Sequence, residues 1–164
     1  MRNFFIVWGL FSVSLITYMP NVKAESANTV IAVVVANNQT TSDLKLAKPD
    51  LNLIYWRKQL YWAKGHRIKP VNLRTEHPLR QQFSLKILGA LPKQQIDYWN
   101  GLYFNGVSPP HVVNSEEAVI RYVADTIGSI GYVDACLVDD RIKAILWIDH
   151  DQITSNAPEN FHCQ

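Results

Sequence analysis

The stretch Val30 to Val35 is apolar throughout and β-branched at every position except Ala32. A strand of that kind has no polar side to turn to water. It belongs in a sheet covered on both faces, which selects an α/β architecture over an exposed hairpin. Around it the chain alternates. Asn37 to Ser42 is polar and reads as a loop. From Pro49 to about Leu60 the residues Leu51, Ile54, Tyr55, Trp56 and Leu60 follow a helical face, with Pro49 acceptable in a first turn. Lys64-Gly65 marks a turn before a short alternating strand, Ile68 to Leu73, whose apolar members are Ile68, Val71 and Leu73.

Pro78 opens a clearer helix. Leu79, Phe83 and Ile87 recur at four-residue spacing, Leu88 lies beside them, and Gly89 supplies a stop. A further helix starts near Pro92 and carries Ile96, Trp99 and Leu102 on one stripe. Asn105-Gly106 to Pro109-Pro110 reads as a loop. Asn114 or Ser115 caps the next helix, Glu117 stands three residues after Asn114, and Val119, Tyr122 and Val123 form the buried face. Gly128 ends it. Ile130 to Val133 and Ala144 to Ile148 are the last two predicted strands, joined through the polar turn Asp139-Asp140-Arg141. This order predicts a three-layer α/β unit: a mixed sheet with helices on both faces. Beyond Asp149 the residues become polar and predict a loose tail over 149–164.

Length and charge set the outer bounds. With 164 residues, 48% hydrophobic and 18% charged, the chain holds one domain of ordinary size, and a disordered or collagen-like chain is excluded. Residues Met1 to Ala24 have the layout of a secretory signal peptide: Arg2, the apolar block Phe4 to Met19, a break at Pro20, then Val22-Lys23-Ala24. Cleavage is expected after Ala24, leaving a domain over 25–148 and the tail. An uncleaved anchor is the competing reading, although the apolar block is short for a bilayer span. The formal charge of +2 falls to 0 once Arg2 and Lys23 are set aside. A neutral mature chain gives no electrostatic case for nucleic acid. Export makes Cys136 and Cys163 candidates for a disulfide; the alternative is a small buried Cys136 and a frayed Cys163.

Catalytic patterns are missing from the sequence: it has no Gly-x-Ser-x-Gly, Walker loop, His-Glu-x-x-His or Cys-x-x-Cys. No nucleophile, base and orienting group can be named together, so a non-enzymatic protein without a cofactor is expected. Asp149-His150-Asp151 with His162-Cys163 offers metal ligands only if the tail folds back, and a solvated tail explains them equally, so no metal site is assigned. The stretch Asn72-Leu73-Arg74-Thr75-Glu76-His77-Pro78-Leu79-Arg80 is more informative. It joins the end of a strand to the start of a helix, where unpaired backbone N–H groups and the helix dipole favour anions. Arg74 and Arg80 flank that start, and Thr75 or His77 adds a donor. Two surface arginines beside a capped helix are the other reading. The aromatic residues Trp56, Tyr61, Trp62, Tyr98, Trp99, Tyr103 and Phe104 could form a carbohydrate or peptide platform, but their spacing on two helices favours core packing, which is also expected of Trp147 in its strand.

Several of these segments together form a known pattern. They are Leu51 to Trp62, Lys64-Gly65, Ile68 to Leu73, Pro78 to Phe83, Leu88-Gly89, Tyr98-Trp99, Phe104-Asn105-Gly106, Pro109-Pro110, Ser115 to Val119 and Gly128 to Val133. Their order and spacing, over residues 30 to 148, resemble the phosphate ABC transporter substrate-binding proteins. The resemblance implies a type II periplasmic binding protein fold, of which this chain matches mainly the second of two lobes. In phosphate binders that lobe contributes an Arg followed by a Ser-Gly-Thr type turn at a helix start, and the matching place is Arg74 to Leu79. This chain departs there: Pro78 removes a backbone donor, and Glu76 adds a negative charge. Arg57 stands where many relatives have a helix-ending Gly.

The resulting expectation is an exported solute-binding-like protein, periplasmic or secreted. It would bind phosphate or another small oxyanion weakly through Arg74, Thr75, His77, Leu79 and Arg80. A membrane transporter or envelope protein is the expected partner, and a homodimer is open. The alternative is a ligand-free interaction or sensing module for a cell-envelope partner.

Overall fold

The computed structural model describes residues 29–37, 46–150, 152–159 and 161–163. The leader assigned to Met1–Ala24 lies outside these residues. Six strands form one sheet: β1 (Ile31–Ala36), β2 (Lys69–Leu73), β3 (His111–Val113), β4 (Ser129–Asp134), β5 (Ile142–Asp149) and β6 (Gln152–Thr154). Their order is β3-β2-β4-β1-β5-β6. β2 runs parallel to β3 and β4, whereas β1 is antiparallel to both β4 and β5, so the sheet is mixed. β1 occupies an interior position and all six of its residues are buried, as its β-branched run requires.

Both faces of the sheet carry helices. The helices are α1 (Lys48–Tyr55), α2 (Pro78–Phe83), α3 (Ile96–Tyr103) and α4 (Glu116–Asp125). Gly131 of β4 faces α4 so closely that a Cβ there would meet Val119 at 2.6 Å, Val71 at 2.9 Å and Val123 at 3.0 Å. The next residue, Tyr132, points to the opposite face, since strand side chains alternate. There it stacks on Phe83 of α2, with centroids 3.9 Å apart, and lies beside Tyr55 of α1. Three layers follow from these two residues alone.

Local chemistry sets the helix ends. Ser115 caps α4, its hydroxyl accepting from the Ala118 N–H at 3.2 Å. Glu117 turns away to Arg141 and Arg121. The Pro78 helix runs on from α2 through a π turn, Ser84–Leu88, and stops at left-handed Gly89. α1 is shorter than its apolar spacing predicts. Arg57 takes the left-handed conformation at φ 59, and the N–H groups of Lys58 and Gln59 both return to the Leu53 carbonyl. Leu60 then accepts from Ile68 outside any helix.

Other expectations also change. β2 does not alternate: Pro70 through Leu73 are all buried, Asn72 among them. The Pro109-Pro110 loop leads into the short strand β3. The described residues beyond Asp149 are not loose, because β6 pairs with β5, Phe161 packs against Trp147, and Cys163 is bridged to Cys136. The stripe on α3 is not a core stripe. No residue of α3 is buried, Tyr103 is 69% exposed and the adjoining Phe104 88%. Tyr61 is also exposed, whereas Trp62 is buried and its indole donates to the Gly128 carbonyl at 3.0 Å. Trp56 is half-buried against Tyr98 and Trp99.

Candidate functional site

The loop from β2 into α2 separates two arginines that look equivalent in sequence. Arg74 is exposed, with its Nε 4.0 Å from Glu76 Oε2. The Thr75 hydroxyl donates to Glu76 Oε1 at 2.6 Å. That hydrogen bond, a backbone N–H and the Arg74 charge hold the Glu76 carboxyl below its ordinary pKa. Arg74 and Thr75 therefore both attend to Glu76. The His77 ring caps α2, with Nδ1 accepting from the Leu79 N–H at 3.3 Å and Nε2 lying 3.9 Å from Glu116. Pro78 has no N–H, so of the first-turn donors the Leu79 N–H is taken by His77 and Pro78 offers none.

Arg80 lies in the first turn of the same helix and is only 6% exposed. Its Nε and Nη1 are buried without a hydrogen-bond partner. Among the described residues, the ion pairs formed do not include Arg80. Burial lowers its pKa, and the neighbouring Tyr132 and Tyr55 act in the opposite direction. An arginine stays protonated regardless. The two phenols do not neutralise it. Burial pushes both hydroxyls well above the ordinary tyrosine range, so they remain neutral.

The surrounding groups are already engaged. The Tyr132 hydroxyl meets the Asn72 Oδ1 at 3.2 Å and accepts from the Leu73 N–H at 3.4 Å. The Tyr55 hydroxyl is shared between the carbonyls of Val71 at 3.3 Å and Ile130 at 3.4 Å. Phe83 packs edge-on to Tyr55 at 4.7 Å and flat on Tyr132, which fixes both phenols. Ser84 Oγ is buried without a partner, like the Arg80 nitrogens. A cation and a hydroxyl on one helix are thus both withdrawn from water and unmatched by the protein. Such groups are costly unless an anion or acceptor meets them.

The sequence singled out Arg74, Thr75, His77, Leu79 and Arg80 as one group, and the structure divides it. Arg74 and Thr75 face solvent around Glu76, His77 and Leu79 form the cap, and of the charged or polar members only Arg80 is buried. Tyr55, Tyr132 and Ser84 were not among the site candidates, and Asn72 headed the informative stretch without a role. Part of the signal was present: Asn72 and Tyr132 place polar groups inside the buried stretches of β2 and β4. No group of His, Cys, Asp or Glu among the described residues is placed to hold a metal ion. Cys163 is closed to that role by its disulfide.

The architecture is a mixed-sheet α/β domain with helices on both faces. Similar structures include an ABC-type phosphate transport receptor from Vibrio cholerae (TM-score 0.54, 19% identity, 71% of this chain and 46% of that one). A candidate phosphate ABC transporter substrate-binding protein from Clostridium perfringens, with phosphate bound, gives a TM-score of 0.56 at 19% identity, over 71% of this chain and 44% of that one. A possible phosphate binding protein from Planctomyces limnophilus DSM 3776 gives 0.55 at 14%, over 81% and 47%. The chain thus spans less than half the length of the structures it resembles. No family model and no curated protein matches it by sequence. Among the described residues no helix is long and apolar enough to cross a membrane.

Proposed function

We propose that this chain is a non-enzymatic, solute-binding-like protein that takes a small tetrahedral oxyanion of the phosphate class at Arg80. One observation carries the reading: the guanidinium is buried, charged and unmatched, with two nitrogens free to fork onto an oxyanion. The fold shared with phosphate-binding structures supports it. So does the unpartnered Ser84 hydroxyl one turn further along. Arg74, Thr75, His77 and Leu79 then serve as the rim and cap of the site. The protein acts in the periplasm or outside the cell after cleavage at Ala24, and passes its ligand to a membrane transporter or envelope protein.

Isothermal titration with phosphate and with sulfate tests this. Heat of binding is expected from the parent protein, and none from Arg80→Met. Equal binding by the two proteins would remove Arg80 from the site. A second reading, an interaction or sensing module without a ligand, is favoured by one feature only, the exposed aromatic end of α3 at Tyr103 and Phe104. Under that reading neither anion gives heat, and an envelope partner protects Phe104 from solvent.

A further inference from the structure

The cations of this chain are not spread evenly. Between Leu51 and Thr75 there are six, Arg57, Lys58, Lys64, Arg67, Lys69 and Arg74, and no Asp or Glu. From Leu53 to Phe104 the charges sum to nine basic against two acidic, or +7, whereas from Asn105 to the end they sum to three against nine, or −6. A chain with almost no net charge therefore has strongly polarised segments. Five of the six cations, Arg57 to Lys69, surround one structural unit.

That unit is a small hairpin. Tyr61 pairs with Arg67 across it, the Trp62 N–H donates to the His66 carbonyl at 2.8 Å, and left-handed Gly65 makes the turn. The buried Trp62 indole ties it to the start of β4. Contact there is so tight that a Cβ on Gly128, itself left-handed at φ +82, would lie 2.3 Å from the Arg67 carbonyl oxygen. Arg57 braces the base, with Nη1 donating to the Ile68 carbonyl at 3.2 Å. Burial first, and the nearby Arg67 charge second, depress the Arg57 pKa, so cations are crowded here. Lys58, Arg67 and Lys69 are exposed. The acid nearest in sequence to this contact is Asp125, at the end of α4.

Two exposed apolar residues flank this contact: Tyr61, paired with Arg67 and 57% exposed, and Ile127, next to Gly128 in sequence and 69% exposed. The hairpin sits where β2 begins. The loop into α2, and hence Arg80, lies at the other end of that strand. We propose that the hairpin end of the molecule is a docking surface for an anionic phospholipid bilayer. Its cations meet the headgroup charge, and Tyr61 and Ile127 enter the interfacial region, where an amphipathic aromatic ring is favoured. A nucleic acid would match the cations but leave Ile127 nothing to bury. Attachment of this kind is weak and reversible, since a few cations and two apolar groups fall short of a stable anchor. It would hold the Arg80 end of the domain away from the bilayer.

The full-length protein and a charge-reversed form, Arg67→Glu with Lys69→Glu, are expressed and purified in the same way, so any contribution of the N-terminal apolar run is common to both. Each is sedimented with vesicles of phosphatidylglycerol and phosphatidylethanolamine, and with vesicles of phosphatidylcholine alone. The parent is expected to pellet with the anionic vesicles at about 0.1 M salt and to be released at about 1 M, where the screening length falls to about 3 Å. The charge-reversed protein is expected to bind more than about tenfold more weakly. Tyr61→Ser, which leaves every charge in place, is expected to weaken binding with less effect on its salt dependence. No binding to anionic vesicles, equal binding to both vesicle types, or equal binding by parent and charge-reversed protein would each overturn the proposal. So would salt-sensitive binding to single-stranded DNA by a protein that ignores the vesicles.

Discussion

Replacing Arg80 with methionine is expected to make the ligand-free protein more stable and, in the same step, unresponsive to phosphate. Methionine keeps the unbranched stem that packs in the first turn of α2 and removes the charge. In the parent, Nε and Nη1 are buried without partners, and a polar group left so typically costs about 1–3 kcal/mol. Exchanging buried charged groups for apolar side chains of similar volume has stabilised proteins by about 1–4 kcal/mol. A gain of about 1–3 kcal/mol is therefore expected, which for a domain of this size raises Tm by about 4–12 °C. Phosphate separates the two proteins. At a hundred times its Kd it stabilises the parent by about 2.7 kcal/mol, and it leaves Arg80→Met unchanged. Differential scanning calorimetry of both proteins, with and without phosphate, reads all four values. A variant that melts below the parent without phosphate would show that the guanidinium is satisfied by the protein itself. An equal phosphate shift in both would place the anion elsewhere. Either result refutes the reasoning.

Three further outcomes follow from named contacts. The Cys136–Cys163 bridge closes a sequence separation of 27 residues, so the double variant Cys136→Ser, Cys163→Ser is expected to lose about 3.5 kcal/mol in chemical denaturation and to free the β6 segment for proteolysis. Gly131→Ala forces a methyl against Val119 of α4 and Val71 of β2, and is expected to cost about 1–3 kcal/mol, read in the same assay. Hydrogen bonds from Arg141, and then Arg121, hold Glu117 at a pKa of about 2 against an ordinary 4.5. Its contribution to stability is thus complete above the ordinary value and fades as pH falls towards about 2. An NMR titration should place the Glu117 midpoint there, and Arg141→Gln should return it towards the ordinary value.

The parts of the fold legible in sequence were those in which local and global preferences agree. The β-branched run at Ile31–Ala36 and the Gly89 stop each state one structure and receive it, and the α4 cap was narrowed to Asn114 or Ser115, of which Ser115 serves. Elements that depend on distant partners were hidden. Strands β3 and β6 are three residues each and exist because a neighbouring strand presents its edge. α1 stops early because Arg57 accepts a conformation that glycine usually fills. The apolar spacing of α3 resembles a core stripe, and only the surrounding layers reveal that no residue of it is buried. The candidate site shows the same division. Arg74 and Arg80 have the same chemistry in sequence, and what separates them is the pair Tyr55 and Tyr132, brought to Arg80 by α1 and β4. No local pattern encodes that meeting.

A structure of the protein crystallised with phosphate at saturating concentration tests the central claim most directly. One ordered tetrahedral anion is expected, its oxygens about 2.7–2.9 Å from Nε or Nη1 of Arg80. An anion held by Arg74 in the solvent-facing loop, or an Arg80 side chain that hydrogen-bonds only to protein with no anion bound, would contradict it.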